Sequence, residues 1–320
     1  MNEIILRLSR ELNMNYMDQF ERILALPKTI KHLDPKIEGE AFKTMLLESG
    51  YDKTVCRSLY DYIAITTIGL KYGVHISRRT PFLLGPPGTG KTRLANQMAN
   101  ALNLPFISIQ LDLEQSTEED LFGRDRYSTN PTPGKVVEFI TNQHQDKLKE
   151  NIYPVILFFD EIDKTLNHKD SHSSRQFFLQ LLSTDEKHVY ECAGLGNVSL
   201  DLDKCILIFS GNERIYEPFA ERSVKRRKYV EEDDEEFKNE DPAFMDRLDP
   251  VPFSPYDKQK KREIMYKLVM DIMEQFKLES ILESTKDEIE LDEHPGVRVL
   301  KSTVVAIIVR SIAEQEGWVF

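Results

Sequence analysis

The stretch that decides the fold runs through eight consecutive residues, Gly85, Pro86, Pro87, Gly88, Thr89, Gly90, Lys91 and Thr92. It fits the pattern G-x-x-x-x-G-K-[S/T] and stands between an apolar run and a helical pattern, the context that a phosphate-binding loop requires. Glycines there let main-chain N–H groups turn toward phosphate oxygens, and the following helix N-terminus adds positive potential. We therefore predict an ATP-binding loop in which Lys91 reaches the β- and γ-phosphates and Thr92 ligates Mg²⁺, whose water shell is expected to contact Asp160. A glycine-rich turn without a ligand is the alternative.

Two carboxylates follow a second long apolar run. Residues 155–159, Val-Ile-Leu-Phe-Phe, lead directly into Asp160 and Glu161. Because open α/β sheets bind ligands at the carboxyl ends of their strands, we expect Asp160 to hold Mg²⁺ and Glu161 to orient and deprotonate the attacking water. A further apolar run at residues 205–209 is followed by Asn212, whose amide is expected to bridge the γ-phosphate and that water. A solvated acidic cap and a plain turn asparagine are the alternatives.

Hydrophobic periodicity divides the chain into three predicted domains. Residues 1–72 carry apolar residues at helical spacing and are predicted as an N-terminal helical region. Residues 73–252 alternate short apolar runs with helical stretches, which is typical of a parallel sheet buried on both faces, and are predicted as the nucleotide-binding core. Residues 253–320 return to helical periodicity and are predicted as a helical lid. The expected fold class is therefore α/β, a P-loop core with helices before and after it.

Composition narrows the range of partners. The 320 residues carry a net charge of −12, from 42 basic and 54 acidic side chains, which argues against a surface built to neutralise nucleic-acid phosphates. The sequence has no apolar run of about 18 residues, so we expect no membrane span. Cys56, Cys192 and Cys205 are widely spaced and form no CxxC pair, which favours a reducing compartment. The cytoplasm is the expected location.

At this point the order of the motifs resembles the AAA+ superfamily of ATPases, and several stretches are similar to the ATPase module of Lon proteases in particular. The similarity covers roughly residues 55 to 314. It is carried by FGRDRY at 122–127, DEIDK at 160–164, LQLL at 179–182, FMDRL at 244–248 and GVRVL at 296–300. The sequence ends at Phe320, so we expect no peptidase domain and infer no proteolysis. The connection between Asn212 and Phe244 is longer than the resemblance implies and contains a charged stretch at 225–236.

The resemblance implies roles for three further residues and an oligomeric state. Members of this superfamily form rings, usually hexamers, with the nucleotide between subunits. Arg247 would then reach the γ-phosphate bound by a neighbour, and Arg298 would act from the lid on the nucleotide of its own subunit. A surface ion pair is the alternative for Arg247. Tyr127 would lie on a pore loop, where an aromatic ring either grips a threaded polypeptide or packs against its own chain.

Three functions remain open from the sequence. The first is an ATP-hydrolysing ring that remodels or threads a protein client. The second is an ATP-gated assembly scaffold, or the motor subunit of a multi-component system such as a defence system, whose effector is a separate chain. The third is a nucleic-acid motor, which the negative charge disfavours. ATP and Mg²⁺ are the expected cofactors in all three.

Overall fold

The structure is a computed structural model, and it describes residues 29–34, 36–74, 76, 78–111, 118–124, 134–141, 152–162, 178–179, 181–182, 189–192, 198–212, 246–276, 302 and 304–309. The chain divides into two compact units. One comprises Met1–Leu84 with Thr92–Val251, and the other Gly85–Lys91 with Pro252–Phe320.

Nine strands and six helices are used below. The strands are β1 (Thr29–Ile30), β2 (Thr80–Leu84), β3 (Phe106–Gln110), β4 (Ile152–Tyr153), β5 (Val155–Asp160), β6 (Val189–Cys192), β7 (Val198–Asp201), β8 (Cys205–Gly211) and β9 (Leu248–Pro252). The helices are α1 (Ile37–Ser49), α2 (Lys53–Tyr72), α3 (Lys91–Ala101), α4 (Glu118–Phe122), α5 (Lys135–Thr141) and α6 (Lys258–Phe276).

A five-stranded sheet forms the centre of the first unit, in the order β3-β5-β8-β2-β9. The pairings β3 with β5, β5 with β8 and β8 with β2 are parallel. All five residues of β2 and all seven of β8 are buried, which is why these strands read as continuous apolar runs. Phe159, Phe178 and Phe209 stack or meet edge to face in the core beneath the sheet. The predicted α/β class with a parallel sheet is confirmed.

Helices α1 and α2 occupy residues for which the sequence predicts helix. The Asp52 carboxylate begins α2 by accepting main-chain hydrogen bonds from Thr54 and Val55, at 2.7 and 3.3 Å. The bond from Thr54, followed by that from Val55, lowers the pKa of Asp52 because both stabilise the charged form. Gly73 ends the helix in the left-handed conformation, at φ 64°. The Asp52 cap at the start and the left-handed Gly73 at the end thus set the length of α2.

Two small sheets flank the central one in the first unit. Strands β1 and β4 pair in parallel, and β6 and β7 form an antiparallel pair. Just after β1, the Lys31 ammonium donates to the main-chain carbonyls of Leu102 and Asn103 at 2.8 and 3.2 Å. It also lies 3.0 Å from the buried Glu38 carboxylate. The segment before α1 is therefore fastened to the chain that leaves the carboxyl end of α3.

The second unit contains α6 and a helical stretch at residues 304–309. Met265 of α6 packs with Val304 and Ile308, and the exposed fractions of these three side chains are 7%, 0% and 1%. Within the parts of the chain that the structure describes, no helix is both long and apolar enough to cross a membrane.

Candidate functional site

The phosphate loop lies between β2 and α3 and belongs to the second unit. Gly88 and Gly90 have φ angles of 81° and 87°, which favour glycine. Gly85 is required for a different reason, since a Cβ atom there would lie 2.3 Å from the main-chain oxygen of Phe253. The Tyr256 hydroxyl donates to the Thr89 carbonyl at 2.7 Å. Residues that follow β9 thus contact the loop at its first residue, Gly85, and at Thr89.

Lys91 is buried, with 8% of its surface exposed. Its ammonium donates to the carbonyls of Gly85 and Pro86, at 2.6 and 3.1 Å. The Lys91 ammonium, which is predicted to bind phosphate, therefore lies inside the loop. A phosphate would give this buried ammonium a charge-assisted bond, which is stronger than its bonds to the neutral carbonyls of Gly85 and Pro86.

Asp160 stands at the carboxyl end of β5, where several donors converge on its carboxylate. The Thr92 hydroxyl, at the start of α3, donates to its Oδ2 atom at 2.8 Å. The Ser210 hydroxyl of β8 donates to its Oδ1 atom, which also accepts from the Glu161 main-chain N–H at 3.0 Å. The structure therefore places the two residues predicted to bind Mg²⁺, Thr92 and Asp160, in direct contact. It also identifies Ser210 as a second hydroxyl donor to the Asp160 carboxylate.

Glu161 follows Asp160 in a left-handed conformation, with φ of 61°. Such a conformation is uncommon for a residue with a Cβ atom, and it is concentrated at functional sites. The Gln110 amide donates to the Glu161 Oε2 atom at 2.7 Å. Gln110 ends β3, whose residues pair with β5 so that Gln110 stands opposite Asp160. Gln110 is not among the residues predicted from the sequence, because its relation to Glu161 depends on strand register.

Asn212 follows directly after β8, whose last residue, Gly211, pairs with Leu84 of β2. Because β8 lies between β5 and β2, Asn212 emerges at the same edge of the sheet as Asp160 and Glu161. The strand positions thus bring three predicted site residues to one edge.

Arg247 lies at the other edge of the same sheet. Its main-chain carbonyl accepts a 3.0 Å hydrogen bond from the N–H of Thr80, the first residue of β2. Ser210 is level with Leu83, three residues further along β2. With two strand spacings added, Thr80 and Asp160 are separated by roughly 14 Å, which is longer than an arginine side chain. The structure does not bring Arg247 to the Asp160 edge of its own chain.

The remaining predicted positions lie outside the described residues. These are Tyr127 of the expected pore loop, Arg298 of the lid and the charged stretch 225–236. Their roles stay predictions.

The oxygen atoms around Asp160 fit a magnesium ion. A hydroxyl and a carboxylate, 2.8 Å apart between Thr92 and Asp160, are hard ligands of the kind that Mg²⁺ prefers. Among the described residues no group of three or more His, Cys, Asp or Glu could hold a metal by itself. This combination suits Mg²⁺, which commonly takes one or two protein oxygens and completes its shell with phosphates and water.

A cavity of about 440 Å³ lies in the first unit at the amino edge of the sheet. Thr80 and Cys205, which begin β2 and β8, line it together with Tyr62 of α2. Burial raises the pKa of the Cys205 thiol, and it also raises that of Tyr62 to about 12. Since Asp160, Glu161 and Thr92 are not among its lining residues, this cavity is separate from the cluster at the carboxyl edge.

The central part of the chain is similar to a known protein family. The family described as "ATPase family associated with various cellular activities (AAA)" matches residues 81–229. The Lon protease of Clostridioides difficile (strain 630) is 28% identical over 230 residues, 69% of this chain and 27% of the relative. That of Campylobacter jejuni is 29% identical over 236 residues, 72% of this chain and 26% of the relative.

A eukaryotic relative gives the same result. Peroxisomal Lon protease homolog 2 of Oryza sativa is 28% identical over 265 residues, 81% of this chain and 26% of the relative. The chain thus spans about a quarter of the length of the curated relatives it matches. The family match at residues 81–229 includes the phosphate loop, strand β5 with Asp160, and strand β8, which ends just before Asn212.

Proposed function

Because residues 81–229 are a domain of the AAA family of ATPases, we propose that this chain is an ATP-driven motor that assembles into a ring, remodelling or threading a protein client. The observation that carries the proposal is the contact between the Thr92 hydroxyl and the Asp160 carboxylate, at 2.8 Å. It joins the start of α3 to the end of β5, so the two oxygens can serve one metal ion.

The predicted site residues have separate roles in ATP hydrolysis. Lys91 binds the β- and γ-phosphates, and the carboxylate of Glu161 accepts a proton from the attacking water. Asn212 holds that water and the γ-phosphate in line. Bound Mg²⁺ supplies charge neutralisation on the phosphate oxygens, with Thr92 and Asp160 as its protein ligands.

Arg247 acts on the nucleotide of a neighbouring subunit in this proposal. The separation of roughly 14 Å between Thr80 and Asp160 supports that assignment, because Arg247 is bonded to Thr80 at the amino edge of the sheet. An arginine in that position completes a site only when a second copy presents its carboxyl edge. We propose a ring of such copies, a hexamer by the resemblance, with Arg298 of the lid binding the nucleotide of its own subunit.

Protein is the preferred client for two reasons. The relatives are named Lon proteases, and the net charge of −12 disfavours a nucleic-acid track. The cytoplasm is the proposed location, since the cysteine pattern favours a reducing compartment. The runner-up is an ATP-gated scaffold or the motor subunit of a multi-component system. It is favoured if turnover responds to one specific partner chain and not to unfolded protein.

Phosphate release by the purified chain, with ATP and Mg²⁺, tests the proposal. We expect an unfolded protein such as carboxymethylated lactalbumin to raise turnover several-fold, and single- or double-stranded DNA to have no such effect. Lys91→Ala is the control for nucleotide binding, since the phosphates lose their charge partner. Stimulation by DNA, or indifference to every unfolded protein, would contradict the proposal.

Tyr127 provides a sharper test of threading. If its ring grips the client, Tyr127→Ala should lower client-stimulated turnover far more than turnover without client, while Tyr127→Phe retains stimulation. Equal stimulation in the parent and in Tyr127→Ala would remove Tyr127 from this role.

A further inference from the structure

We propose that Ser210 is a positioning residue for the magnesium site, because its hydroxyl fixes the rotation of the Asp160 carboxylate. This inference rests on the proposed function, since it assumes that Asp160 binds Mg²⁺ with nucleotide. It adds a residue for which the sequence analysis predicted no role. It also links the strand that carries Asn212 to the strand that carries Asp160.

Strand register brings the two side chains together. Phe159 of β5 pairs with Phe209 of β8, so the next residues along, Asp160 and Ser210, occupy neighbouring positions. Side chains at paired positions of adjacent parallel strands point to the same face, about 4.8 Å apart. The Ser210 hydroxyl uses this proximity to donate to the Asp160 Oδ1 atom. None of the surface of Ser210 is exposed, so water does not compete for that bond.

Each oxygen of the carboxylate therefore has its own donors. Oδ2 accepts from the Thr92 hydroxyl at 2.8 Å, and Oδ1 accepts from Ser210 and from the Glu161 N–H at 3.0 Å. If Thr92 turned to a metal ion, Oδ2 would lose its donor, and the bonds at Oδ1 would continue to hold the carboxylate plane. Without Ser210, one main-chain bond would remain at Oδ1. Partners that orient a metal ligand in this way are typically worth about 10- to 100-fold in metal affinity.

A purely structural role for Ser210 makes a different prediction. A buried hydroxyl needs an acceptor, and Asp160 could simply be the nearest one. In that case removing the hydroxyl would alter stability and leave metal affinity unchanged. Metal affinity at a fixed nucleotide is therefore the measurement that separates the two roles, and it does not require turnover.

Electron paramagnetic resonance of Mn²⁺, used as the probe for Mg²⁺, provides this measurement on the full chain saturated with ADP. We expect Ser210→Ala to bind Mn²⁺ about 10-fold more weakly than the parent, while ADP affinity measured with EDTA is the same in both. Ser210→Thr, which keeps the hydroxyl, should restore at least half of the loss on a logarithmic scale. Thr141→Ala is the matched control, since Thr141 is fully buried and its hydroxyl donates to the Val137 carbonyl of α5.

Equal Mn²⁺ affinity in the parent and in Ser210→Ala overturns the inference, as does an equal loss in Thr141→Ala. If Ser210→Ala does not fold, Ser210→Cys replaces it, because a thiol has nearly the same shape and is a much weaker donor. The same loss of Mn²⁺ affinity is then expected, and its absence counts against the role. Failure of the proposed nucleotide site, on which the inference rests, is recognised separately, since the parent chain would then bind neither ADP nor Mn²⁺ with ADP.

Discussion

The two edges of the central sheet are built differently, although the same strands form both. At the carboxyl edge, side chains bond to side chains, with Thr92 and Ser210 on Asp160 and Gln110 on Glu161. At the amino edge a main-chain bond runs from Thr80 to Arg247, and the exposed side chains of Arg79 and Asp246 lie 3.9 Å apart as an ion pair. The amino edge also contains the cavity beside Cys205, whose pKa is raised by burial.

The carboxyl edge contains the residues proposed to hydrolyse ATP within one copy of the chain. The amino edge contains Arg247, which is proposed to act on the nucleotide of another copy. A side-chain network fixes the directions of its own reactive groups, because each hydroxyl or amide restricts the rotamer it bonds. The main-chain bond from Thr80 holds Arg247 at the amino edge, away from the Asp160 edge of its own chain. Substitutions at one edge at a time therefore test the two edges separately.

The largest effect is expected at the amino edge, from Arg247→Ala. If Arg247 neutralises developing charge on a neighbour's nucleotide, hydrolysis should fall by about 10³- to 10⁵-fold while ATP affinity stays close to that of the parent. Phosphate release and equilibrium ATP binding measure the two quantities. Mixing with Glu161→Gln subunits, which keep Arg247, should restore activity at interfaces that pair the intact halves. If both variants stay inactive at every ratio, although a label proves subunit exchange, Arg247 does not act between copies.

The next largest effect is expected at the carboxyl edge, from Glu161→Gln. The amide cannot accept a proton from water, so turnover should fall by roughly 10²- to 10⁴-fold. ATP should remain bound, because the phosphate contact assigned to Lys91 and the Mg²⁺ contact assigned to Thr92 are unaltered. Single-turnover measurements with radiolabelled ATP separate binding from chemistry. Near-parental steady-state hydrolysis would remove Glu161 from the role of base.

Sequence reasoning predicted the carboxyl edge better than the amino edge, for physical reasons. Strands β2, β5 and β8 are buried on both faces, so each appears as a continuous apolar run that ends where the reactive residues begin. Strand β9 was not predicted, because Leu-Asp-Pro-Val-Pro contains two prolines and an aspartate. Proline is tolerated there because β9 is an edge strand.

The hydrogen-bond partners of Asp160 and Glu161 could not be predicted from the sequence. Ser210 and Gln110 become partners of Asp160 and Glu161 only through register between β3, β5 and β8. Register follows from the packing of whole strands, and a local pattern in one strand does not reveal it. The sequence does show that Gln110 and Ser210 are polar residues near the ends of apolar runs, but it does not show which carboxylate each one bonds.

A smaller effect is expected from Gln110→Ala, also at the carboxyl edge. The Gln110 amide occupies one oxygen of Glu161, so its removal leaves that carboxylate more available to water. We expect turnover without client to rise about three-fold, which is modest because Gln110 is exposed and water replaces part of the bond. Ser108→Ala, also exposed and on the same side of β3, is the control. A fall in turnover, or an equal rise in the control, would contradict this reading.

The smallest effect is expected from Cys205→Ala at the amino edge. Deleting one buried heavy atom enlarges the cavity and should lower the free energy of unfolding by about 1 kcal/mol. Hydrolysis per folded subunit should be unchanged, since Cys205 stands at the far end of β8 from Ser210. Urea denaturation and phosphate release measure the two quantities. A change in turnover with no change in stability would show that the amino edge takes part in chemistry within one copy.

The backbone of Glu161 is left-handed, at φ 61°. At this position the stability of the fold favours glycine, whereas ATP hydrolysis requires the glutamate side chain. A residue with a Cβ atom pays roughly 1 to 2 kcal/mol for that conformation, and glycine does not. A library randomised at position 161 and sorted only for folded protein should therefore enrich glycine, whereas the same library sorted for growth that depends on turnover should retain glutamate. The two enrichment scores should have opposite signs at this codon, so a scan of abundance alone would rank Glu161 among the replaceable residues.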